Sequence, residues 1–196
     1  QKVLSDEILS EFNLNISLSP DITYRILPTP HFSIKDSKLF YINSNINNEI
    51  GELKELKIFI GQSNFFNKDQ IILKKILIKD ANFFLKKQNL PFLKDLVNKK
   101  FSDQKVQIKN SKLFFNDINN KTVFIYSINK LVAEYARDGG KNLININGEI
   151  FKIPIRINWE KDLIRKHKIL KINLKKVNID ILNKSIFEKD KYSYQS

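Results

Sequence analysis

A short pattern of alternating apolar and polar residues recurs along this chain and restricts it to a β-rich fold. Residues 32–41, 76–85 and 106–115 each begin with two alternating apolar residues, continue with Lys-Asp or Lys-Asn, and end in a second apolar run. A looser copy occupies residues 172–181. Alternation with a period of two is typical of strands, and Asp or Asn favours a bend between them. Because the copies are unevenly spaced, the pattern predicts a strand-bend-strand unit repeated with variable connections.

The segments between these copies add further strands and two short helices. Asn147-Gly148 lies between two alternating runs and predicts a hairpin turn. Leu4, Ile8 and Phe12 share one face of a predicted amphipathic helix at residues 2–12. Pro91 lies near the start of a second predicted helix at residues 91–101. We therefore predict a mainly β fold with two short helices.

The composition argues against enzymatic chemistry. The chain has no Cys and two His far apart in sequence, which leaves little for thiol catalysis or a His-based metal site. Asp36, Asp80 and Asn110 occupy one position of the recurring pattern, where we expect them to stabilise the bends. Acid–base catalysis would instead require two converging carboxylates with shifted pKa values. The sequence predicts no catalytic residue, no metal and no cofactor.

The net charge of +13 concentrates in residues 152–176. Only four of the 34 basic residues are Arg, the residue that base-reading proteins favour for guanine. No zinc-finger spacing or RNA-binding aromatic motif is present either, so nucleic acid is not the expected partner. A one-sided basic surface can also face the phosphates of lipid headgroups. The candidate headgroup-facing residues are Lys161, Arg165, Lys166, Lys168 and Lys171.

Adjacent aromatic pairs follow the bends at residues 40–41, 83–84 and 114–115. Neighbouring residues of a strand point to opposite faces, so each pair places one ring on each face. A sheet that is apolar on both faces needs cover on both sides or a ligand on one. A lipid-facing surface, a closed two-sheet sandwich and a partner domain all satisfy this requirement. The candidate lipid-contacting residues are Leu39, Phe40, Ile78, Phe83, Ile108, Leu113 and Phe114.

The order of these elements resembles the AsmA family of membrane-anchored envelope proteins. The matching pieces are residues 3–12, 14–18 and 22–27, the Pro28-Thr-Pro30 crossing, and His31 with the first unit at residues 32–39. The later segments 71–85, 90–101, 106–115 and 148–157 follow the alternation of units in that family. The resemblance covers most of the chain and depends on the order of degenerate, hydrophobicity-led motifs.

The resemblance implies a long, curved antiparallel sheet of strand-bend-strand repeats with an open, groove-like apolar face. Such a groove contacts phospholipid acyl chains in lipid transfer or outer-membrane homeostasis. It also implies a periplasmic protein of a Gram-negative bacterium, with phospholipid and other envelope proteins as partners. Because the chain contains no Met, we expect a processed segment whose inner-membrane anchor lies upstream of Gln1.

On this interpretation residues 1–196 form one AsmA-like β-domain or the N-terminal part of one. The predicted divisions are the helix at 2–12, a β-repeat region at 13–182 and a polar tail at 183–196. The first alternative is a structural or protein-interaction β-domain with no lipid ligand. A Lys-rich nucleic-acid binder is the second.

Overall fold

The protein forms one open, curved sheet, as seen in a computed structural model. The model describes residues 6, 15–17, 21–43, 46–61, 72–117, 119, 121–188 and 191–195. The strands are β1 (Asn15–Ser17), β2 (Ile22–Arg25), β3 (His31–Asn43), β4 (Ile46–Ile60), β5 (Leu73–Lys86), β6 (Lys105–Asn116), β7 (Thr122–Ala136), β8 (Lys141–Ile150), β9 (Ile153–Asp162), β10 (His167–Leu174), β11 (Ile179–Glu188) and β12 (Lys191–Gln195). The predicted mainly β fold with an open, curved sheet is confirmed.

The strand order is β1-β3-β4-β5-β6-β7-β8-β9-β10-β11-β12, and β2 also pairs with β3. Neighbouring strands are antiparallel except for β5 and β6, which pair in parallel. A parallel pair requires the chain to return along the sheet between its two strands. Residues 87–104, here named the crossover, make this return and contain the helix α1 (Leu90–Asn98). The sheet is therefore mixed rather than entirely antiparallel as predicted, with a single helical crossover among the described residues.

The helix predicted at residues 91–101 is confirmed, although it ends at Asn98. Leu93 and Leu96 lie on one face of α1 and pack against a core formed by β3, β4 and β5. Ile34, Leu56 and Ile58 in that core have no exposed surface. The other predicted helix, at residues 2–12, lies outside the described residues apart from Asp6.

Asp36, Asp80 and Asn110 bend β3, β5 and β6 without ending them. Their φ angles are 50°, 52° and 49°, in the left-handed region that Asp and Asn tolerate better than most residues. Each bend shifts the alternation of side chains by one residue. Ile34 and Ser37 are consequently both buried, although strict alternation would place them on opposite faces.

The predicted hairpin turn at Asn147-Gly148 is wrong. Both residues lie inside β8, and the turn into β9 is formed by Phe151 and Lys152, which have φ angles of 51° and 63°. A Cβ atom on Gly148 would lie 2.1 Å from the carbonyl oxygen of Ser127 on β7. Glycine is therefore present because β7 approaches closely, as is common for glycine inside a strand.

Strand pairing continues to the end of the described chain. β11 pairs with β10 along its length, and β12 pairs with β11 from Lys184 to Glu188. The segment predicted as a polar tail at 183–196 thus contributes strand residues to the sheet.

Candidate functional site

A continuous line of apolar side chains crosses nine strands of the sheet on one face. Residues that are paired across neighbouring strands share a face, so the register places these side chains side by side. We call this line the apolar rung, and it consists of Ile34, Leu56, Ile78, Ile108, Leu131, Ile146, Ile157, Ile172 and Ile181. The sheet therefore has one apolar face that runs from β3 to β11.

The apolar rung is buried at its β3 end and half exposed at its β11 end. Ile34 and Leu56 have no exposed surface, and Ile78 is buried. The rung residues on β6 to β10 are partly exposed, and Ile181 on β11 is 48% exposed. The same kind of side chain is thus in a dry core at one end and in contact with solvent at the other.

The exposed end of this face forms an apolar surface across β8, β9, β10 and β11. We call it the open strip, and it consists of Ile146, Ile155, Ile157, Ile172, Leu174, Ile179 and Ile181. Two shallow depressions of about 360 and 280 Å³ lie on the same strands, but residues of the opposite face, such as Asn158 and Lys171, form much of their lining. The open strip is an accessible surface of the sheet.

The crossover is attached to the apolar face by polar contacts at the end of α1. The Asn142 side chain has no exposed surface, accepts a hydrogen bond from the Phe101 backbone N–H at 2.9 Å and donates one to the Lys99 carbonyl at 2.7 Å. Phe101 also stacks on Trp159, with 5.9 Å between ring centroids. These contacts hold the crossover over the ends of β8 and β9.

Lys161 and Lys168 hold the last residue of α1. Lys161 Nζ donates to the Asn98 carbonyl oxygen, and Lys168 Nζ donates to Asn98 Oδ1 at 3.2 Å. Positive charge is favourable at a helix C-terminus, where the backbone carbonyls lack partners. Burial, together with the nearby Lys168 charge, lowers the pKa of Lys161 below its usual range.

The face opposite the apolar rung has a second line of side chains, most of them charged, that crosses the same nine strands. Each member is the sequence neighbour of an apolar-rung residue, so it points the other way. We call this line the charged rung, and it consists of Lys35, Glu55, Lys79, Lys109, Lys130, Asn147, Arg156, Asn173 and Asp180. Three lysines on β5, β6 and β7 are therefore direct neighbours.

Glu55 is the acidic member of the charged rung at its β4 end. Its carboxylate lies 2.9 Å from Lys57 Nζ and 3.1 Å from Lys79 Nζ. Partial burial opposes ionisation of Glu55, but the hydrogen bonds from Lys57 and Lys79 outweigh it and hold the carboxyl pKa below its usual value.

The structure separates the candidate lipid-contacting residues into two groups. Leu39, Ile78, Phe83, Ile108 and Leu113 lie on the apolar face. Leu39 and Ile78 are buried in the core, so they have little surface to offer a ligand.

The other two candidates, Phe40 and Phe114, lie on the opposite face. Phe40 is paired with Glu49, and Phe114 is paired with Ile125 and stacks on Phe84. The seven residues therefore do not line one groove.

The candidate headgroup-facing residues are also divided. Lys161 and Lys168 contact α1, as described above, whereas Arg165, Lys166 and Lys171 are exposed. Asp162 accepts hydrogen bonds from the backbone N–H groups of Arg165 and Ile164, and these bonds lower its carboxyl pKa despite some burial. The turn between β9 and β10 therefore presents Arg165 and Lys166 to solvent.

Sequence reasoning missed the open strip and the charged rung. The signal for the open strip was present, because Ile172 and Ile181 belong to the fourth copy of the recurring pattern. The signal for the charged rung was the Lys that precedes each bend, at Lys35, Lys79 and Lys109. The contacts of Asn142 with the crossover required the strand order and had no local signal.

No helical segment in the described residues has the length and apolarity needed to cross a bilayer. Among the same residues, no three His, Asp or Glu side chains form a cluster that could hold a metal ion. No protein-family model matches this chain, and no curated protein sequence matches it significantly. The resemblance to the AsmA family therefore stays a hypothesis.

Proposed function

We propose that this protein is a non-enzymatic module that holds phospholipid acyl chains against the open strip. The observation that carries the proposal is the fall in burial along the apolar rung, from no exposed surface at Leu56 to 48% at Ile181. Apolar surface left in water is unfavourable by about 25 cal/mol per Å², so an apolar ligand that covers it is stabilised. An acyl chain has the matching chemistry.

The dimensions of the open strip also suit an acyl chain. Four rung residues, from Ile146 to Ile181, lie on four adjacent strands. With neighbouring strands about 4.8 Å apart, they span roughly 14 Å. The hydrocarbon thickness of one leaflet is about 15 Å, half of a typical bilayer core. A single acyl chain laid across the strands would cover the strip.

The resemblance to the AsmA family supplies the biological setting of the proposal. In that setting the protein is anchored to the inner membrane, faces the periplasm of a Gram-negative bacterium and takes part in lipid transfer or outer-membrane homeostasis. Phospholipid is then its ligand, and other envelope proteins are its partners.

A second candidate function is a protein-interaction domain without a lipid ligand. The observation that favours it is that β11 is apolar on both faces. Ile179 and Ile181 are about half exposed on one face, and Leu182 and Ile186 are 51% and 46% exposed on the other. An apolar surface on both sides of a strand near the sheet edge is typical of a protein interface.

The two candidates are distinguished by binding of a fluorescent phospholipid to the purified chain. The double variant Ile172→Asn/Ile181→Asn makes the open strip polar and is expected to weaken binding at least tenfold, because two apolar contacts are lost. The matched control, Leu182→Asn/Ile186→Asn, makes an equivalent change on the opposite face and is expected to bind within twofold of the unchanged chain.

Solvent extraction and mass spectrometry of the purified chain give an independent measurement. Co-purified phospholipid in the unchanged chain and the control, and its loss in Ile172→Asn/Ile181→Asn, would agree with the proposal. A chain without lipid that takes up no probe would contradict it. Equal weakening by both double variants would place the probe elsewhere and would also contradict it.

A further inference from the structure

Several lysines lie close together on the polar face of β5, β6 and β7, because the strand register pairs them with one another. Lys79, Lys109 and Lys130 are paired across the three strands, and Lys75 is paired with Lys105. Paired side chains lie about 5 Å apart at their Cβ atoms, and like charges placed directly opposite each other are destabilising. This face therefore favours an anion that would reduce the repulsion.

Among the residues that the structure describes, only part of this charge is compensated. Glu55 pairs with Lys79, and Glu134 Oε2 lies 2.6 Å from Lys105 Nζ. The remaining three lysines, Lys75, Lys109 and Lys130, form what we call the lysine cluster. In the described part of the chain, none of them has a carboxylate within 4.0 Å of its amino group.

The surroundings of Lys75 change the pKa of its amino group. Its Nζ lies 5.3 Å from the centroid of the Phe59 ring. Burial, followed by the charges of Lys109, Lys105 and Lys130, lowers the pKa of Lys75 below its usual range. The neighbouring charges therefore disfavour the charged form of Lys75 in the free protein, and an anion would relieve this effect.

An apolar patch lies on the same face, beyond the bends. Phe84 and Phe114 stack with 5.5 Å between ring centroids, and Ile125, the cross-strand partner of Phe114, is 42% exposed. We call these three residues the aromatic patch. Phe and aliphatic side chains are favoured at the boundary between headgroups and acyl chains, and lysines are attracted to the negative surface of anionic bilayers. The two clusters together have the chemistry of a bilayer-binding surface.

We propose that the polar face of β5, β6 and β7 docks on an anionic bilayer, with the lysine cluster on headgroup phosphates and the aromatic patch against the interface. A bilayer accounts for the lysines and for the aromatic patch beside them, whereas duplex DNA, whose bases are stacked inside the helix, accounts only for the lysines. The surface lies on the opposite side of the sheet from the open strip. The inference is therefore independent of acyl-chain binding.

The test is co-sedimentation of the chain with vesicles of phosphatidylcholine alone or with added phosphatidylglycerol. We expect binding only to the anionic vesicles, and weaker binding at high salt. The triple variant Lys75→Gln/Lys109→Gln/Lys130→Gln is expected to bind about a hundredfold more weakly, from about fivefold for each lysine near the surface. Ile125→Gln alone is expected to weaken binding about fivefold, and circular dichroism checks that each variant is folded.

The matched control is Lys94→Gln/Arg165→Gln/Lys166→Gln, which removes the same charge from exposed positions on α1 and on the turn after β9. It is expected to bind within about threefold of the unchanged chain. An equal loss in the control would show that net charge drives binding, and would overturn the proposal. Binding to duplex DNA that is tighter than to anionic vesicles at equal phosphate, and that is lost in the lysine triple variant, would also overturn it.

Discussion

The two ends of the apolar rung have nearly the same side chains but opposite surroundings. On β3 and β4, Ile34 and Leu56 are fully buried, whereas Ile172 and Ile181 on β10 and β11 are accessible. The residue types are therefore not what separates a dry core from an open surface. The difference lies in what covers each part of the sheet.

The position of α1 over one part of the sheet follows from the parallel orientation of β5 and β6. Because β5 and β6 are parallel, the crossover must return along the sheet, and it places Leu93 and Leu96 of α1 on the core of β3, β4 and β5. β8, β9, β10 and β11 are joined through short connections, and the one between β10 and β11 contains a single 3-10 turn at Lys175–Val177. The position of the parallel pair thus places α1 over the buried end of the rung.

The largest expected effect compares the two ends directly. Leu56→Ala should lower the free energy of unfolding by about 3 kcal/mol, because a fully buried side chain leaves a cavity. Ile181→Ala should lower it by less than about 1 kcal/mol, because half of that side chain is already in water. Urea denaturation at equilibrium measures both values. Similar losses in the two variants would show that the open strip is covered in solution.

The second prediction concerns β8, which lies between the two ends of the apolar rung. Gly148→Ala should lower the free energy of unfolding by about 2 kcal/mol, because the new methyl group would collide with the Ser127 carbonyl and force β7 and β8 apart.

Gly139→Ala is the matched control for this change. The nearest atoms to its new Cβ would lie 3.5 Å away, an ordinary contact distance, so it should change stability by less than about 0.5 kcal/mol. Thermal unfolding of the two variants side by side makes the comparison. A Gly148→Ala chain as stable as the Gly139→Ala chain would contradict the close approach of β7 to β8.

The smallest effect concerns Tyr126, which is buried on the apolar face of β7. Its hydroxyl group has no hydrogen-bond partner among the described residues, and burial raises its pKa to about 12. Since the unfolded chain loses this proton near pH 10.0, the folded state loses stability as the pH rises from 10.0 towards about 12.

Tyr126→Phe removes the unpaired hydroxyl, so we expect equal or greater stability at neutral pH, by about 1 kcal/mol. The variant should also lack the part of the alkaline loss that Tyr126 contributes. Denaturation curves for both chains at a series of pH values above 9 give this difference. A loss of the same size in both would show that Tyr126 is exposed in solution.

The sequence was sufficient to predict the strands because alternation is a local property. It also placed α1, since Leu93, Leu96 and Val97 are spaced for one helical face. It misplaced the turn at Asn147-Gly148, because a glycine required by a neighbouring strand has the same local pattern as a hairpin turn. That neighbour is known only once β7 and β8 are paired.

Face assignment failed for a related reason. Phe40 and Phe114 were grouped with Leu39 and Leu113, although adjacent strand residues must point to opposite faces. The bends at Asp36 and Asn110 also shift the alternation, so the faces before and after a bend cannot be matched by simple counting. The pairing register between strands shows which residues share a face, both for adjacent residues and on either side of a bend. It depends on contacts between distant segments, so the local sequence pattern does not reveal it.

Photo-crosslinking with a labelled phospholipid is the sharpest test of the proposed contact between the open strip and acyl chains. A phospholipid with a photoreactive group at the end of one acyl chain would be bound to the chain, activated by light, and its adducts mapped by mass spectrometry of peptides. We expect adducts on β9, β10 and β11 at Ile157, Ile172 and Ile181. Adducts concentrated on the opposite face, at Leu182 or Ile186, or no adducts at all, would contradict it.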